Sequence, residues 1–395
     1  MSHFTVLVVG DNTEEQLAPF HEFECTGDDN KYVQNIDQTD EARKEYESYT
    51  KLRYQDPEGN LHNPYQDQFY REFTEEELKK HGNFNGKGPL GMGGGSGISW
   101  TSQDWNDGLG YRSKVHFLPE GWKEVRVNAN TVESFRDFVE GYYGHKPLLH
   151  GETPDLKEEH KYGWTQLDEK GEAVKVIDRT NPNKHWDWYK VGGRWNGFFK
   201  LKAGASGAVG EPGLNRMDPD YEEPEEDRAD LCMKGDIDIE GMKDEAGAKA
   251  AEQYDLFASV TEGCPAHLSW KEVQDRNRTG GMDEGLPAVD WGAARKEYGE
   301  QPAIKALRDS KDRDARWFDA DDFLCTREKY IERARKGAFS TFAVVKDGQW
   351  YERGEMGWWG AVHDEKDEDQ WLEQFSDLID SLPDSTLLTV VDCHI

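Results

Sequence analysis

The sequence predicts an α+β fold in which the two ends of the chain meet in one antiparallel sheet. Two observations lead to this prediction: a short apolar run occupies 4–9, and a strand–helix–strand pattern occupies the last residues. Apolar runs of this length are typical of buried strands, and helices and strands that bury one face share a core. The simplest architecture is a ferredoxin-like, split-βαβ antiparallel sheet that pairs the N- and C-terminal strands, with large helical and loop insertions between them.

The first strand of this sheet is predicted over Phe4–Val9. Gly10, Asp11 and Asn12 follow it, and these residue types favour turns because they tolerate backbone conformations that most residues avoid. Gly10 does not begin the Gly-x-Gly-x-x-Gly pattern that a Rossmann dinucleotide-binding unit carries at this position. The run therefore predicts a buried strand and a turn, without a dinucleotide site.

The C-terminal unit is predicted to contain a hairpin, a helix and a last strand. Ser340–Val345 and Gln349–Glu352 flank a Lys-Asp-Gly turn, which is typical of a β-hairpin. Between 369 and 382 the large apolar residues recur at helical spacing, so one face of that helix should point to a core. Thr386–Val391 is again apolar and supplies the final strand.

Pairing of the two terminal strands would also bring polar side chains together. If these strands are antiparallel neighbours, His3 lies near Cys393 and His394. With Asp392 these residues could bind a metal ion, because histidine, cysteine and aspartate are common zinc ligands. The alternative is that they simply pack the ends of the sheet.

We predict one elaborated domain over residues 1–395, with a terminal sheet unit made of 1–24 and 338–395. Within the insertions, Asp40–Leu52 and Glu240–Phe257 are predicted helices, since both are rich in helix-forming residues. The segments between the ends are a polar, Gly-rich insertion at 25–121, a helix, hairpin and Gly-Gly-Arg-Trp core at 122–202, and an acidic loop with a helical insertion at 203–337.

Charge restricts the possible partners of the chain. It carries 80 acidic and 48 basic residues, a formal net charge of −32. A field of this sign repels nucleic-acid phosphates and anionic lipids, so we expect no direct binding to nucleic acid or membrane. Acidic residues are concentrated in 1–80 and 218–245. This clustering leaves open an acidic mimic of DNA beside the simpler explanation, a solvated acidic surface.

Other sequence features indicate a cytoplasmic protein. No apolar run reaches the ~18 residues that a membrane-spanning helix needs, and the N-terminal residues lack the features of a signal peptide. Five cysteines are scattered without a Cys-x-x-Cys pair, which is typical of a reducing compartment. No established metal or cofactor motif is present, and we predict no cofactor.

The strongest candidate site lies near the middle of the chain, over 186–202. Large aromatic residues, a Gly-Gly pair and one arginine precede an alternating, strand-like tail. A guanidinium suits phosphate or carboxylate, glycines let a backbone approach a ligand, and aromatic rings stack on flat molecules. The predicted ligand-binding residues here are Trp186, Asp187, Trp188, Tyr189, Gly192, Gly193, Arg194 and Trp195. Alternatively, Asp187 pairs with Arg194, the tryptophans fill a core and the glycines make a tight turn.

A second stretch, 350–360, has a similar composition, with adjacent aromatics, glycines and one arginine. We predict that it faces the central stretch and forms the other wall of a pocket. Its candidate ligand-binding residues are Arg353, Glu355, Trp358 and Trp359. No Ser-His-Asp order and no nucleophile elbow is present, so an enzyme here would depend on carboxylates such as Asp187 or Glu355 beside the two arginines.

Several segments, taken together, resemble one family. They are the SHFTVLV start at 2–8, the WDWY-x-x-GGRW core at 186–195 and the VVDCHI end at 390–395, with 235–238 and 350–360 between them. In this combination the chain resembles, from end to end, a family of uncharacterised proteins of tailed phages and prophages. The GGRW core is the most specific part, and the Gly-rich segment 82–111 is not part of the pattern. The resemblance implies a phage origin but no activity.

Three functions are compatible with these observations. The favoured one is a phage accessory protein, used in host takeover or counter-defence, that binds a nucleotide-like anionic ligand or a host protein. The second is an enzyme that acts on such a ligand. The third is an acidic DNA mimic or a structural component of the phage. The oligomeric state is left open.

Overall fold

The structure is a computed structural model of the chain, and it describes residues 2–72, 98–99, 114–213, 223–283, 286–357 and 360–395. Contacts divide the chain into two compact units, one formed by Met1–Thr26 with Asn181–Ile395 and one formed by Gly27–Thr180. Both ends of the predicted terminal sheet unit belong to the first unit. Of the Gly-rich segment 82–111, all but Ile98 and Ser99 lies outside the described residues.

The first unit contains an eight-stranded sheet. Its strands are β1 His3–Val9, β2 Trp188–Gly193, β3 Gly207–Ala208, β4 Glu211–Pro212, β5 Leu231–Met233, β6 Ala343–Lys346, β7 Gln349–Glu352 and β8 Leu387–His394. The strand order is β3-β5-β8-β1-β6-β7, and β2 pairs with both β8 and β4. The first and last strands of the sequence are therefore neighbours at the centre of the sheet.

β1 and β8 pair antiparallel over their whole length, from His3 opposite His394 to Val9 opposite Leu388. The predicted α+β class and the predicted pairing of the terminal strands are thus confirmed. β1 also pairs with β6, but this pair is parallel. A parallel pair needs a long crossover connection, and the chain between β1 and β6 supplies one. The sheet is therefore mixed, and the ferredoxin-like arrangement is not confirmed.

Both faces of β1 and β8 are covered, which explains why apolar side chains occur on both faces of the two strands. One face packs against the helix Glu368–Asp380 and the other against the helix Thr13–Leu17 and Trp186. The buried side chains of the first face include Leu7, Val9, Leu388, Val390, Trp371 and Phe375. Those of the second face include Phe4, Val6, Val8, Val391, Cys393 and Leu17.

Helices and short strand pairs complete the first unit. The helices are α1 Thr13–Leu17, α2 Phe23–Thr26, α3 Ile239–Val260, α4 Trp270–Arg276, α5 Trp291–Glu300, α6 Pro302–Arg308, α7 Arg327–Gly337 and α8 Glu368–Asp380. The short pairs are Phe199–Lys200 with Arg228–Ala229, Arg278–Asp283 with Leu286–Val289, and Glu355–Met356 with Val362–His363. In the described part of the chain, no helix is long and apolar enough to cross a membrane.

The second unit contains three small sheets and two helices among its described residues. The helices are Thr39–Ser48 and Phe135–Tyr142. The largest sheet runs in the order Gln34–Asp37, Ala173–Thr180, Gly163–Leu167 and Lys146–Leu148. The other sheets are Leu61–His62, Thr50–Gln55 and Lys123–Asn128, and Tyr70–Glu72, Lys114–His116 and Ile98–Ser99.

The predicted helix over Asp40–Leu52 is too long. The helix ends at Ser48, and Thr50–Gln55 forms a strand that pairs with Lys123–Asn128. Sheet pairing with a remote segment decides the conformation here, and local helix propensity is a weak preference that such a contact overrides.

His145 in the second unit predicts a pH-dependent stability. Its side chain is only 10% exposed, and among the described residues its Nδ1 has no hydrogen-bond partner. Burial lowers the pKa of His145 below the ordinary value of 6.5, although Asp178 lies 3.9 Å from its Nε2. As the pH falls through 6.5, His145 takes up a proton in the unfolded chain but stays unprotonated in the folded chain. The free energy of unfolding should therefore fall as the pH decreases.

We expect this fall in urea unfolding between about pH 7 and about pH 5, the range in which a histidine titrates. Because many carboxylates also titrate, the comparison is with His145→Gln, in which the decrease should be smaller. Equal slopes in the two proteins would show that His145 does not contribute.

Candidate functional site

β2 holds the first half of the predicted central site beside the last strand of the sheet. It pairs antiparallel with β8, with Trp188 opposite His394 and Lys190 opposite Asp392. Side chains directly opposite each other in an antiparallel pair lie on the same face. The central stretch and the C-terminal residues therefore form one surface, which sequence reasoning did not connect.

Gly192 and Gly193 end this strand with left-handed backbone conformations, with φ of 77° and 56°. Glycine adopts such conformations without the steric cost that a Cβ atom imposes. A Cβ atom at Gly192 would lie 2.5 Å from Oδ2 of Asp230, and one at Gly193 would lie 2.2 Å from Cβ of Asp392. The close approaches that this Gly-Gly pair permits are thus to carboxylate side chains of the chain itself.

Asp230 is fully buried and organises the turn that follows β2. Its Oδ1 accepts hydrogen bonds from the backbone amides of Gly197 and Phe198, at 2.8 and 2.9 Å. Its Oδ2 accepts from the amide of Gly210 at 2.8 Å and from the side chain of Asn196 at 3.0 Å. Hydrogen bonds to an ionised acceptor are among the stronger ones, so this carboxylate fixes the path of the loop.

Asp392 is the second buried carboxylate of the site. Its Oδ1 accepts a hydrogen bond from Nδ1 of His3 at 2.8 Å, and its Oδ2 accepts one from the backbone amide of Arg194 at 3.0 Å. Arg194 is therefore attached to the site through its main chain, and the residue itself is exposed.

His394 forms a similar pair with Asp187. Its Nδ1 lies 2.7 and 2.8 Å from the two carboxylate oxygens of Asp187, which also accepts a bond from the amide of Trp188 at 2.7 Å. Asp187 thus pairs with His394, and the alternative pairing with Arg194 is not present. The ring of His394 is held in place, since the residue is buried in the sheet.

The two pairs meet, and we call His3, Asp392, His394, Asp187 and Trp188 the two-histidine site. The ring centroids of His3 and His394 are 4.9 Å apart, with their planes at 76°. The indole of Trp188 stacks on His394 at 4.9 Å and 18°, and it contacts the ring of His3 edge-on at 5.3 Å. Three rings from three neighbouring strands therefore form one cluster.

The Nε2 atoms of both histidines have no hydrogen-bond partner among the described residues, so they are available for proton transfer. In each ring Nδ1 is bound to a carboxylate, and no described residue forms a hydrogen bond with either Nε2. Neither Nε2 is among the described side-chain atoms that are fully buried without a partner, so each keeps some exposed area, although the two side chains are only 8% and 7% exposed. An imidazole oriented by a carboxylate in this way can take up a proton at Nε2 and return it.

The predicted aromatic residues divide between core and surface. Trp186 is 7% exposed, its Nε1 donates to the carbonyl of Leu17 at 3.1 Å, and it belongs to the core under the sheet. Tyr189 packs against the same core, and Trp195 is half-buried. Trp188 is 40% exposed, so it is the aromatic side chain of this stretch that is most open to a ligand.

The stretch 350–360 contacts His185, the residue immediately before the central stretch. The indole of Trp350 stacks on the ring of His185, with centroids 4.5 Å apart and planes at 8°. Nδ1 of His185 also lies 3.4 Å from a carboxylate oxygen of Glu352. Part of the predicted proximity is therefore present, at residues next to the candidate ligand-binding ones.

The candidate residues of the second stretch lie in different surroundings. Arg353 pairs with Glu365 at 2.7 Å, and Glu355 is exposed on a short strand. Trp358 and Trp359 lie outside the described residues. Among the described residues, neither Arg353 nor Glu355 forms a hydrogen bond or an ion pair with the two-histidine site.

The predicted neighbourhood of His3, Cys393 and His394 is present, but Cys393 lies on the opposite face of the sheet. All five cysteines are free. Burial raises the pKa of the Cys393 thiol well above its ordinary value, which makes it a poor nucleophile. Among the described residues, no group of three or more metal-ligating side chains is arranged to hold a metal ion.

Two features of the site were missed from the sequence. In the sequence, nothing distinguishes Asp230 from the other acidic residues of its region. The pairing of Asp187 with His394 depends on the register of β2 against β8, which the sequence does not specify. The pairing of His3 with Asp392 could have been found, because alternation along antiparallel strands places both on one face. Comparison with known protein families, curated proteins and solved structures finds no match for this chain. The resemblance to phage proteins stays a prediction.

Proposed function

We propose that this chain is a phage accessory protein that binds a flat, anionic, nucleotide-like ligand at the two-histidine site. The proposal rests on Trp188, a residue that stays 40% exposed although its indole stacks on His394. Stacking on the imidazole fixes the orientation of the indole and occupies one of its faces. A held, exposed indole is the kind of surface on which a nucleobase stacks, whichever base it is.

The charges of the site support an anionic ligand in an otherwise acidic chain. Asp187 and Asp392 each have a histidine Nδ1 within hydrogen-bond distance, so carboxylate oxygens of both residues are engaged within the site. Lys190 follows Trp188 by two residues on the same face of β2, and it is exposed. Its contact with Glu211 is 3.9 Å long and lies at the surface, where such pairs are weak.

Trp188→Ala tests the proposal by isothermal titration calorimetry against AMP, cyclic AMP, ATP and the dinucleotide ApA. Stacking contributes about 1–3 kcal/mol per base, so we expect the affinity for the best ligand to fall roughly 5–150-fold. The matched control is Trp317→Ala, since Trp317 is an 83% exposed tryptophan of the same unit outside the site. Its replacement should leave the affinity unchanged.

Two results would contradict the proposal. The wild-type chain could bind none of the four nucleotides, or Trp188→Ala and Trp317→Ala could weaken binding equally. In the second case nucleotides would bind elsewhere on the chain, and the two-histidine site would not be the ligand site.

A further inference from the structure

We infer that the two-histidine site is catalytic and that His3 and His394 act as a general acid–base pair that hydrolyses a phosphodiester bond of a nucleotide-like substrate. This inference rests on the proposed function, because the same site would bind the base of the substrate at Trp188. Each histidine is a catalytic residue, and Asp392 and Asp187 are positioning residues. The following observations support these roles.

Each imidazole is prepared for proton transfer by its carboxylate. Nδ1 of His3 is bound to Asp392 at 2.8 Å, and Nδ1 of His394 is bound to Asp187 at 2.7 and 2.8 Å. A carboxylate in this position fixes the tautomer and the ring orientation, and it stabilises the imidazolium that forms when Nε2 is protonated. The exchangeable position of both rings is therefore Nε2.

The scaffold holds the two rings next to each other. His3 and His394 are opposite residues of the antiparallel pair β1 and β8, and their ring centroids are 4.9 Å apart. Their side chains are only 8% and 7% exposed, so the surrounding sheet restricts ring rotation. Fixed positions of this kind favour catalysis, because the groups need no reorganisation when the substrate binds.

The residues around the rings indicate which group attacks the substrate. Among the described residues, the side chains that form a hydrogen bond or a ring contact with the two imidazoles are Trp188, Asp187 and Asp392, and the two imidazoles also contact each other. No serine, threonine, cysteine or lysine in the described part of the chain forms a hydrogen bond to either ring. We take water as the attacking group, which makes the reaction a direct hydrolysis.

A pair of imidazoles suits a phosphodiester because both steps of its hydrolysis need a proton transfer. One histidine, unprotonated at Nε2, takes a proton from water as the water oxygen forms a bond to phosphorus. The other, protonated at Nε2, gives its proton to the leaving oxygen as the second phosphorus–oxygen bond breaks. The products are a phosphomonoester and an alcohol. The two histidines then regain their protonation states by exchange with solvent.

The test uses the untagged chain, because Ser2 and Ile395 are hydrogen-bonded to each other beside the histidines and an affinity tag would lie near the site. The substrates are ApA and bis(p-nitrophenyl) phosphate, and AMP calorimetry reports binding separately. His3→Asn and His394→Asn keep an N–H near the position of Nδ1 but remove Nε2. We expect hydrolysis by each variant to fall about 10²–10⁴-fold, the usual contribution of a general acid or base.

His150→Asn is the matched control, since His150 is an exposed histidine of the second unit. It should leave hydrolysis unchanged. Asp187→Asn tests a positioning role: kcat should fall while KM and the melting temperature stay near those of the wild type. Loss of stability without a separate loss of kcat would show that Asp187 is only structural.

The outcomes separate this inference from the proposed function. If the wild type binds AMP but hydrolyses neither substrate, the catalytic inference is wrong and ligand binding stands. If it neither binds nor hydrolyses, both are wrong. Hydrolysis that persists in His3→Asn and His394→Asn would place the reaction at another site.

A measurement on the wild type covers the case in which a variant does not fold. Diethyl pyrocarbonate modifies unprotonated, accessible imidazole nitrogens, and mass spectrometry locates the modified residues. We expect the loss of hydrolysis to follow modification of His3 and His394, and AMP to protect both. Loss of activity that follows modification of other residues would overturn the assignment.

Discussion

Asp230→Ala is expected to lower the free energy of unfolding of the first unit by on the order of 3–6 kcal/mol. The substitution removes the acceptor of four hydrogen bonds, from the amides of Gly197, Phe198 and Gly210 and from the side chain of Asn196. Each buried donor left without a partner costs roughly 1–3 kcal/mol, and water entering the space would recover part of this. Typical domains are stable by only about 5–15 kcal/mol. A loss of this size would therefore leave a substantial fraction of the Asp230→Ala variant unfolded at 37 °C.

Urea unfolding followed by circular dichroism measures this effect. Asp230→Asn keeps one acceptor oxygen and should have an intermediate effect. The amide nitrogen that replaces the other oxygen is a donor, and it would face hydrogen-bond donors of the loop. Asp309→Ala is the control, since Asp309 is an exposed aspartate whose side chain pairs with the neighbouring Arg308. Its effect should stay within about 0.5 kcal/mol. If Asp230→Ala were equally mild, the carboxylate would not organise the loop.

Gly193→Ala is expected to destabilise the chain more than the same change at Gly204. Both glycines have positive φ, 56° and 81°, so alanine carries a backbone cost of roughly 1–2 kcal/mol at either position. No atom lies within 4 Å of a Cβ placed at Gly204, whereas a Cβ at Gly193 would lie 2.2 Å from Cβ of Asp392. Asp392 belongs to the central strand and holds His3, so it cannot move away without cost. Overpacked cores cost roughly a further 1–3 kcal/mol, so we expect a total of about 2–5 kcal/mol at Gly193.

Thermal and urea unfolding of the two alanine variants compare these positions directly. If the proposed function is correct, Gly193→Ala should also weaken AMP binding under conditions in which it remains folded, because Asp392 and His3 would shift. Equal losses of stability at Gly193 and Gly204 would mean that the contact with Asp392 relaxes easily. The Gly-Gly pair would then serve only the turn.

Much of the terminal sheet could be predicted because its signals are local. The apolar run at Phe4–Val9 corresponds to β1, and the helical spacing at 369–382 corresponds to α8, Glu368–Asp380. The parallel pairing of β1 with β6 was not predictable, because strand direction depends on the path of the long connection between them. Local patterns specify elements, whereas topology depends on remote contacts.

The candidate site was predicted only in part, for the same reason. The sequence showed that Gly192 and Gly193 permit a close approach, but not that the approaching groups are Asp230 and Asp392. Trp186 and Trp188 have similar local sequences, yet one is in the core and the other is exposed, because Trp186 precedes β2 and packs under the sheet whereas Trp188 begins the strand. Strand pairing alone placed His3 beside His394, and that part of the prediction is confirmed.

The pairing of β1 with β8 has a consequence for synthesis of the chain. β8 pairs with β1 along the whole strand, but β1 leaves the ribosome long before β8. Contacts between segments so distant in sequence also form slowly, because a long loop must close first. During this interval β1 exposes apolar side chains and unpaired strand edges. Exposed groups of this kind promote aggregation and are bound by chaperones. His394 and Asp392 also emerge with β8. The nascent chain therefore acquires the two-histidine site only in the same late step that closes its sheet.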